Sequence, residues 1–239
     1  MACRRSGRGR IKIGRKKMRQ IAIDGPAGAG KSTIAKAVSK KKDMMYVDTG
    51  AMYRVIGMAC LEAGADLNDE ETVSAVCRDA DIDIRYIDGV QHMYLKGADV
   101  SSEIRREEVG KAASDVSRFL AVRERLVAMQ QDLGRRYDVV MDGRDIGTKV
   151  LTEADLKIYL TASVECRAKR RYDELAAKGE VCNFDEIKAD IAARDHQDMT
   201  RAISPLCKAD DAIELDTSDM NIEEVTNAVL ELFEKAVGR

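Results

Sequence analysis

Residues Gly25, Pro26, Ala27, Gly28, Ala29, Gly30, Lys31, Ser32 and Thr33 span the pattern G-x-x-x-x-G-K-[ST]. That pattern suits an anion with several oxygens. Glycines let backbone N–H groups converge on phosphate without a Cβ in the way. A helix that starts at the lysine adds the positive end of its dipole. Lys31 is expected to reach the β- and γ-phosphates of a bound nucleotide, and the Ser32 hydroxyl to ligate Mg2+. An apolar run precedes the loop and a helical pattern follows it, which is the context the motif requires.

Such a loop serves motors, switches and small-molecule kinases alike, so the rest of the chain has to choose. No N-K-x-D base reader occurs, and "MDGRDIG" has its glycine misplaced for a D-x-x-G switch. A phosphoryl acceptor inside the cleft is therefore expected. An acceptor that carries phosphate calls for planar, bidentate donors, which means arginine. Arg54 lies one helical turn beyond the second apolar run, and Arg144 follows the third directly. In open α/β sheets, ligands bind beyond the carboxyl ends of the strands, where both would stand. Arg194 and Arg201 share one face of a predicted helix with Asp198 between them. An exposed ion pair of Arg194 with Asp198 is the alternative there. Asp142 closes the third run and is expected to hold Mg2+, directly or through water. Its alternative is to cap its own turn. Arg167, Lys169, Arg170 and Arg171 form a basic run that either covers the donor phosphates or is a solvated helix face.

The elements that must position these residues follow from periodicity. Apolar runs at 20–24, 44–47, 138–142, 156–160 and 212–215 alternate with helical patterns at 31–41, 51–63, 164–177, 185–201 and 222–236. This predicts an α/β fold, a P-loop NTPase-type core with a five-stranded parallel sheet. "DIDIRYIDGVQHMYLKGADVSS" breaks the alternation, with two strand-like runs about Asp88-Gly89. Helical segments are expected after it at 102–113 and 119–133. The domain plan is a basic arm at 1–18, a core from 19–66, 137–163 and 202–239, an insertion at 67–136 and a helical lid at 164–201. The two appendages are placed to close over ligands from opposite sides.

Composition excludes several classes. No apolar run approaches the ~20 residues that cross a bilayer, and no apolar segment follows the basic start as in a secretory signal. The six cysteines, at 3, 60, 77, 166, 182 and 207, form no C-x-x-C pair. Reduced thiols in a cytoplasmic protein are expected. Residues 1–20 carry nine Lys and Arg and no acid, leaving 31 of the 40 basic residues against all 42 acidic ones. A nucleotide-dependent nucleic-acid-binding module using the arm is the rival from another class. The acidic body, the few aromatics and the absence of Trp argue against it. The arm has no apolar period and is expected to be disordered and dispensable, with Met18 a candidate start. Neither a heptad nor a self-complementary strand stands out to settle the oligomeric state; a monomer is the expectation.

In order along the chain, "IDGPAGAGKST", "YVDTGAMYR", "MDGRDIGT" and "RDHQDMTRAISPL" resemble bacterial cytidylate kinases, from about Met18 to the C-terminus. That resemblance implies a nucleoside monophosphate kinase with three parts: an ATP-binding core, an inserted domain that binds the monophosphate, and a lid. It implies phosphoryl transfer from ATP to CMP or dCMP with Mg2+. The same fold acting on UMP or another small phosphate acceptor is the alternative. By motif, Thr49, Arg54, Arg144 and Arg201 would surround the CMP phosphate. Ser114, Arg123 and Asp145 would read cytosine, and Asp198 with Arg194 would hold the ribose. Arg170 would belong to the lid, with Lys31, Arg144 and Arg201 as its catalytic companions. The residue types fit, since a carboxylate, a hydroxyl and an arginine complement cytosine's donor and acceptors. Read as residues alone, Ser114 could be a helix N-cap and Arg123 could pair with a glutamate. A chain starting at Met18 is expected to keep full turnover in a coupled ADP-release assay; lost activity would give the arm a role.

Overall fold

The structure is a computed structural model and describes residues 17–238. The arm expected at 1–18 thus lies outside the described residues as far as residue 16. In chain order the elements are β1 (Gln20–Asp24), α1 (Lys31–Lys42), β2 (Met45–Asp48), α2 (Thr49–Glu62), α3 (Glu70–Asp79), β3 (Ile82–Ile87), β4 (Val90–Leu95) and β5 (Ala98–Asp99). A 3₁₀ turn at Glu103–Arg105 leads into α4 (Glu107–Val116) and α5 (Leu120–Arg136). Then come β6 (Val139–Gly143), a π-helical turn at Ile146–Val150, β7 (Leu156–Thr161), α6 (Val164–Ala177), α7 (Phe184–Thr200), β8 (Ile213–Asp216) and α8 (Ile222–Val237).

Five strands form one parallel sheet in the order β2-β6-β1-β7-β8. Ile21, Ala22, Ile23, Val139, Val140 and Met141 are fully buried because helices cover both faces. β1 lies between β6 and β7, so the chain leaves it toward β2 on one side and later returns on the other. That reversal opens a crevice at the carboxyl ends of the strands. The register brings acids to this edge: Asp48 pairs with Asp142, and Asp24 with Gly143.

The second body is built on α2. Its Met52, Val55, Ile56 and Cys60 share one apolar cluster with Val73 and Cys77 of α3, Met93 and Leu95 of β4, Val109 and Val116 of α4 and Leu126 of α5. β3, β4 and β5 form a small antiparallel sheet. It docks on the free edge of β2, where Tyr86 Oη donates to the Tyr46 carbonyl at 3.0 Å. Gln91 accepts from the Asp48 N–H at 2.8 Å and donates to its carbonyl at 3.2 Å. Side chains thereby close an edge that would otherwise invite another strand.

Three local features differ from the sequence expectations. The helix expected at 102–113 is a 3₁₀ turn and a separate helix, because Arg106 adopts φ −59°, ψ 150° between them. α3 was not foreseen, although Asp69 caps it by accepting from Glu71 and Thr72 N–H. The turn at Ile146–Val150 was not foreseen either.

α2 and α4 pack closely at Gly57, where a Cβ would stand 2.8 Å from Ala113 N and 3.0 Å from Ala112 C. Both neighbours are backbone and cannot rotate away. Gly57→Ala gains about 1 kcal/mol of helix propensity, which the displaced α4 outweighs. A net loss of about 1–2 kcal/mol is expected in urea unfolding.

Candidate active site

The loop after β1 is held open to an anion. Gly25 has φ 149°, and a Cβ there would lie 1.9 Å from the Leu160 carbonyl oxygen, so only glycine fits. Gly30 is the N-cap of α1 and gives no side-chain cap, and no acid stands in the first turn. The first N–H groups of α1 therefore remain for a ligand. Lys31 is buried and its Nζ donates to the Pro26 carbonyl at 2.7 Å. Burial, and then Arg144, push its pKa well down, against the pull of Asp142, Asp198 and Asp24.

Ser32 Oγ donates to Asp142 Oδ2 at 2.7 Å and Tyr46 Oη to Oδ1 at 2.8 Å. Both oxygens of Asp142 thus point away from its own turn, and the capping alternative is not used. Burial, and then Asp48, raise the Asp142 pKa. A hydroxyl and a carboxylate in contact are hard oxygen donors of the kind Mg2+ takes. Among the described residues no group of three or more His, Cys, Asp or Glu could hold a metal. A Mg2+ ion here would draw its other oxygens from phosphate and water.

One cavity of about 260 Å³ runs from Ala27, Gly28, Lys31 and Ser32 past Thr49, Arg54, Arg144, Arg194, Asp198 and Arg201 to Ser114, Arg123 and Asp145. The residues expected at phosphate, ribose and base therefore line a single space. Thr49 Oγ1 donates to the Asp142 carbonyl at 2.7 Å. Arg54 Nη1 donates to the Ile104 carbonyl at 2.9 Å, tying α2 to the 3₁₀ turn. Arg144 Nε donates to Asp198 Oδ2 at 2.7 Å, and Arg201 Nη1 to Oδ1 at 3.5 Å. Burial opposes the charge of Asp198, yet Arg144 and Arg201 hold its pKa below the usual carboxylate range. The exposed Arg194–Asp198 pair is thus replaced by a buried carboxylate bonded to Arg144 and Arg201. Arg194 lies beside it, its pKa lowered to about 10 by burial and by Arg144.

At the far end, Arg123 and Asp145 form a buried pair at 2.5 Å, and Arg123 Nη1 also donates to the Ser117 carbonyl at 2.9 Å. Its partner is thus an aspartate of the β6 corner, not a glutamate. Ser114 lies inside α4 and is not its N-cap. Tyr53, Arg105 and Ser117 also line the cavity and were not singled out from sequence. Tyr53 directly precedes Arg54 in "DTGAMYR", which was a usable signal. Tyr53 Oη, Arg123 Nε, Arg194 Nε and Arg201 Nη2 are buried without a protein partner. Orphaned donors converging on one cavity suit a polar, anionic ligand.

The basic run of α6 is divided. Arg167 is buried, with Nη1 donating to Asp195 Oδ2 at 2.5 Å and to the Ala27 carbonyl at 2.9 Å. Asp195 Oδ1 accepts from Ala27 N–H at 3.2 Å. Arg170, expected over the phosphates, is turned aside to the Thr217 carbonyl at 2.6 Å and does not line the cavity. Lys169 pairs with Asp173 and Arg171 with Glu174 on the outer face.

A family model described as cytidylate kinase matches residues 21–235. A cytidylate kinase of Bacillus pumilus is 50% identical over 216 residues, which is 90% of this chain and 96% of the relative. One of Caldicellulosiruptor saccharolyticus is 50% identical over 218 residues, 91% and 96% of the two. The chain belongs to the cytidylate kinase family. It is a P-loop phosphotransferase of the CMP-kinase class. A solved structure from Eubacterium ventriosum, described as an uncharacterized protein, superposes with TM-score 0.52 at 8% identity. It covers 91% of this chain and 99% of its own, and speaks for the fold alone.

Replacing Lys31 by Met removes a buried ammonium aimed at the phosphate loop. It is expected to lower kcat by about 10²–10³-fold. Stability is also expected to change, because Asp24 and Asp142 lose a buried counter-charge while a costly buried ammonium is removed. Calorimetry beside the coupled assay separates the two effects.

Proposed function

We propose that the enzyme transfers the γ-phosphoryl group of ATP to the phosphate of CMP or dCMP, giving ADP and CDP or dCDP. The observation that carries this reading is the single cavity that joins Lys31 and Ser32 at one end to Arg123, Asp145 and Ser114 at the other. ATP lies with its phosphates in the loop of Gly25, Pro26, Ala27, Gly28, Ala29, Gly30, Lys31, Ser32 and Thr33. The acceptor phosphate lies among Arg54, Arg144 and Arg201, with Thr49 beside it. Asp198 and Arg194 take the ribose, while Arg123, Asp145 and Ser114 take the cytosine.

The attacking oxygen of CMP is already anionic, so no strong general base is needed. An acceptor oxygen forms a bond to the γ-phosphorus as the bond to the β,γ-bridging oxygen breaks, and ADP carries away that electron pair. The residues act by alignment and by neutralising charge. Mg2+, held by Ser32 and Asp142, would supply further neutralisation of the phosphate oxygens. Arg144 now pairs with Asp198, so an arriving phosphate shares or replaces that carboxylate. Residues 19–66, 137–163 and 202–239 serve as the donor core, 67–136 as the acceptor-binding insertion and 164–201 as the lid. By packing, α2 belongs with the insertion. Lid closure excludes water from the γ-phosphate.

A coupled ADP-release assay with Mg-ATP against CMP, dCMP, UMP, AMP, GMP and shikimate tests the reading. Turnover confined to CMP and dCMP is the expected result. Preferred turnover of UMP or another acceptor would keep the donor site and overturn the base assignment.

A further inference from the structure

Asp24 is a buried carboxylate that the transfer described above does not use. It closes β1 opposite Gly143 of β6 and Tyr159 of β7, and it does not line the cavity. Its Oδ1 accepts from Ile146 N–H at 2.8 Å and its Oδ2 from Gly147 N–H at 2.7 Å. Those two groups open the π-helical turn Ile146–Val150. The first donors of a helical turn need an acceptor, usually the side chain at the N-cap. Asp145 occupies that position, and aspartate is among the best capping residues. Yet Asp145 makes no capping bond, because its carboxylate faces Arg123. Asp24 supplies the cap from the neighbouring strand.

The placement is costly. Burial raises the Asp24 pKa to about 6, against the two N–H bonds and Lys31, while Asp145 adds to the rise. A Cβ on Gly147 would lie 3.1 Å from Lys157 Cδ and 3.3 Å from Asp24 Oδ2, so side chains of β7 and β1 hold the turn between them.

We infer that Asp24 is a positioning residue for the acceptor: it caps the 146–150 turn from β1 and so releases the Asp145 carboxylate to face Arg123 and the base. This rests on the proposed assignment of Asp145 and Arg123 to cytosine. Gly25 follows Asp24 directly, so the strand that feeds the phosphate loop also braces the corner that reads the acceptor.

Asp24→Asn keeps the shape but turns one acceptor into a donor. The KM for CMP is expected to rise about ten- to a hundred-fold, as for one unsatisfied buried N–H. The KM for ATP is expected to change less than that for CMP, since Asp24 also acts on Lys31, and the preference for CMP over UMP narrows. In an Asp145→Ala background the same change adds nothing further to the KM for CMP. Equal effects on both substrates, or additive effects in the double variant, overturn the inference. If Asp145→Ala alone leaves the KM for CMP unchanged, the base assignment itself fails. If it raises that KM and Asp24→Asn does not, only the role of Asp24 falls. Amide exchange on the unaltered protein provides a readout independent of variant folding. Ile146 and Gly147 N–H are expected to be protected, and exchange at free-loop rates would overturn the capping role.

Discussion

A buried ammonium at the carboxyl ends of three strands sets the terms for the rest of the structure. Lys31 lies where β1 and β2 end in Asp24 and Asp48 and where β6 carries Asp142 one residue before its end, with Arg144 close by. Removing each ion from water costs several kcal/mol, so the group is tolerable only when its charges and hydrogen bonds are matched. Ser32, Tyr46 and two backbone N–H groups satisfy the acids Asp142 and Asp24. The arginines nearer the cavity are less complete, since Arg123, Arg194 and Arg201 each keep a buried N–H without a protein partner. The centre is thus neutralised internally, while the rim retains unspent donors for a polyanion.

The parallel sheet makes this arrangement possible through register. Because Asp48 pairs with Asp142 and Asp24 with Gly143, the functional side chains leave the sheet at one level. The inserted sheet is bonded to that edge through Tyr86 and Gln91, so Ser114 of α4 and Arg123 of α5, the proposed acceptor residues, are referenced to the strands that border the cavity. Arg123 crosses from α5 to Asp145 and completes the link.

The alternation of apolar runs and the strand–loop–helix context made the core sheet and the phosphate loop legible in the sequence. Asp88-Gly89 marked the hairpin equally well. Local periodicity could not show pairings between distant segments. Asp198 meets Arg144 across 54 residues, and Arg170 reaches Thr217 across 47. The i,i+4 rule favoured Arg194 for Asp198, but tertiary burial brought a stronger partner. The turn at Ile146–Val150 was hidden for a related reason, since its cap comes from β1 and not from its own neighbours.

Arg167 and Asp195 grip Ala27 by its carbonyl and its N–H, which rivets the inner ends of α6 and α7 to the phosphate loop. Closure of those helices is therefore coupled to the loop at Ala27. From Arg167 outward, α6 is a lever about 15 Å long, ending near the exposed loop that carries Val181. Its fulcrum is part of the surface that would receive the nucleotide. A shift of tenths of an ångström in the loop is therefore magnified at the far tip, and force applied at the tip is returned to the loop.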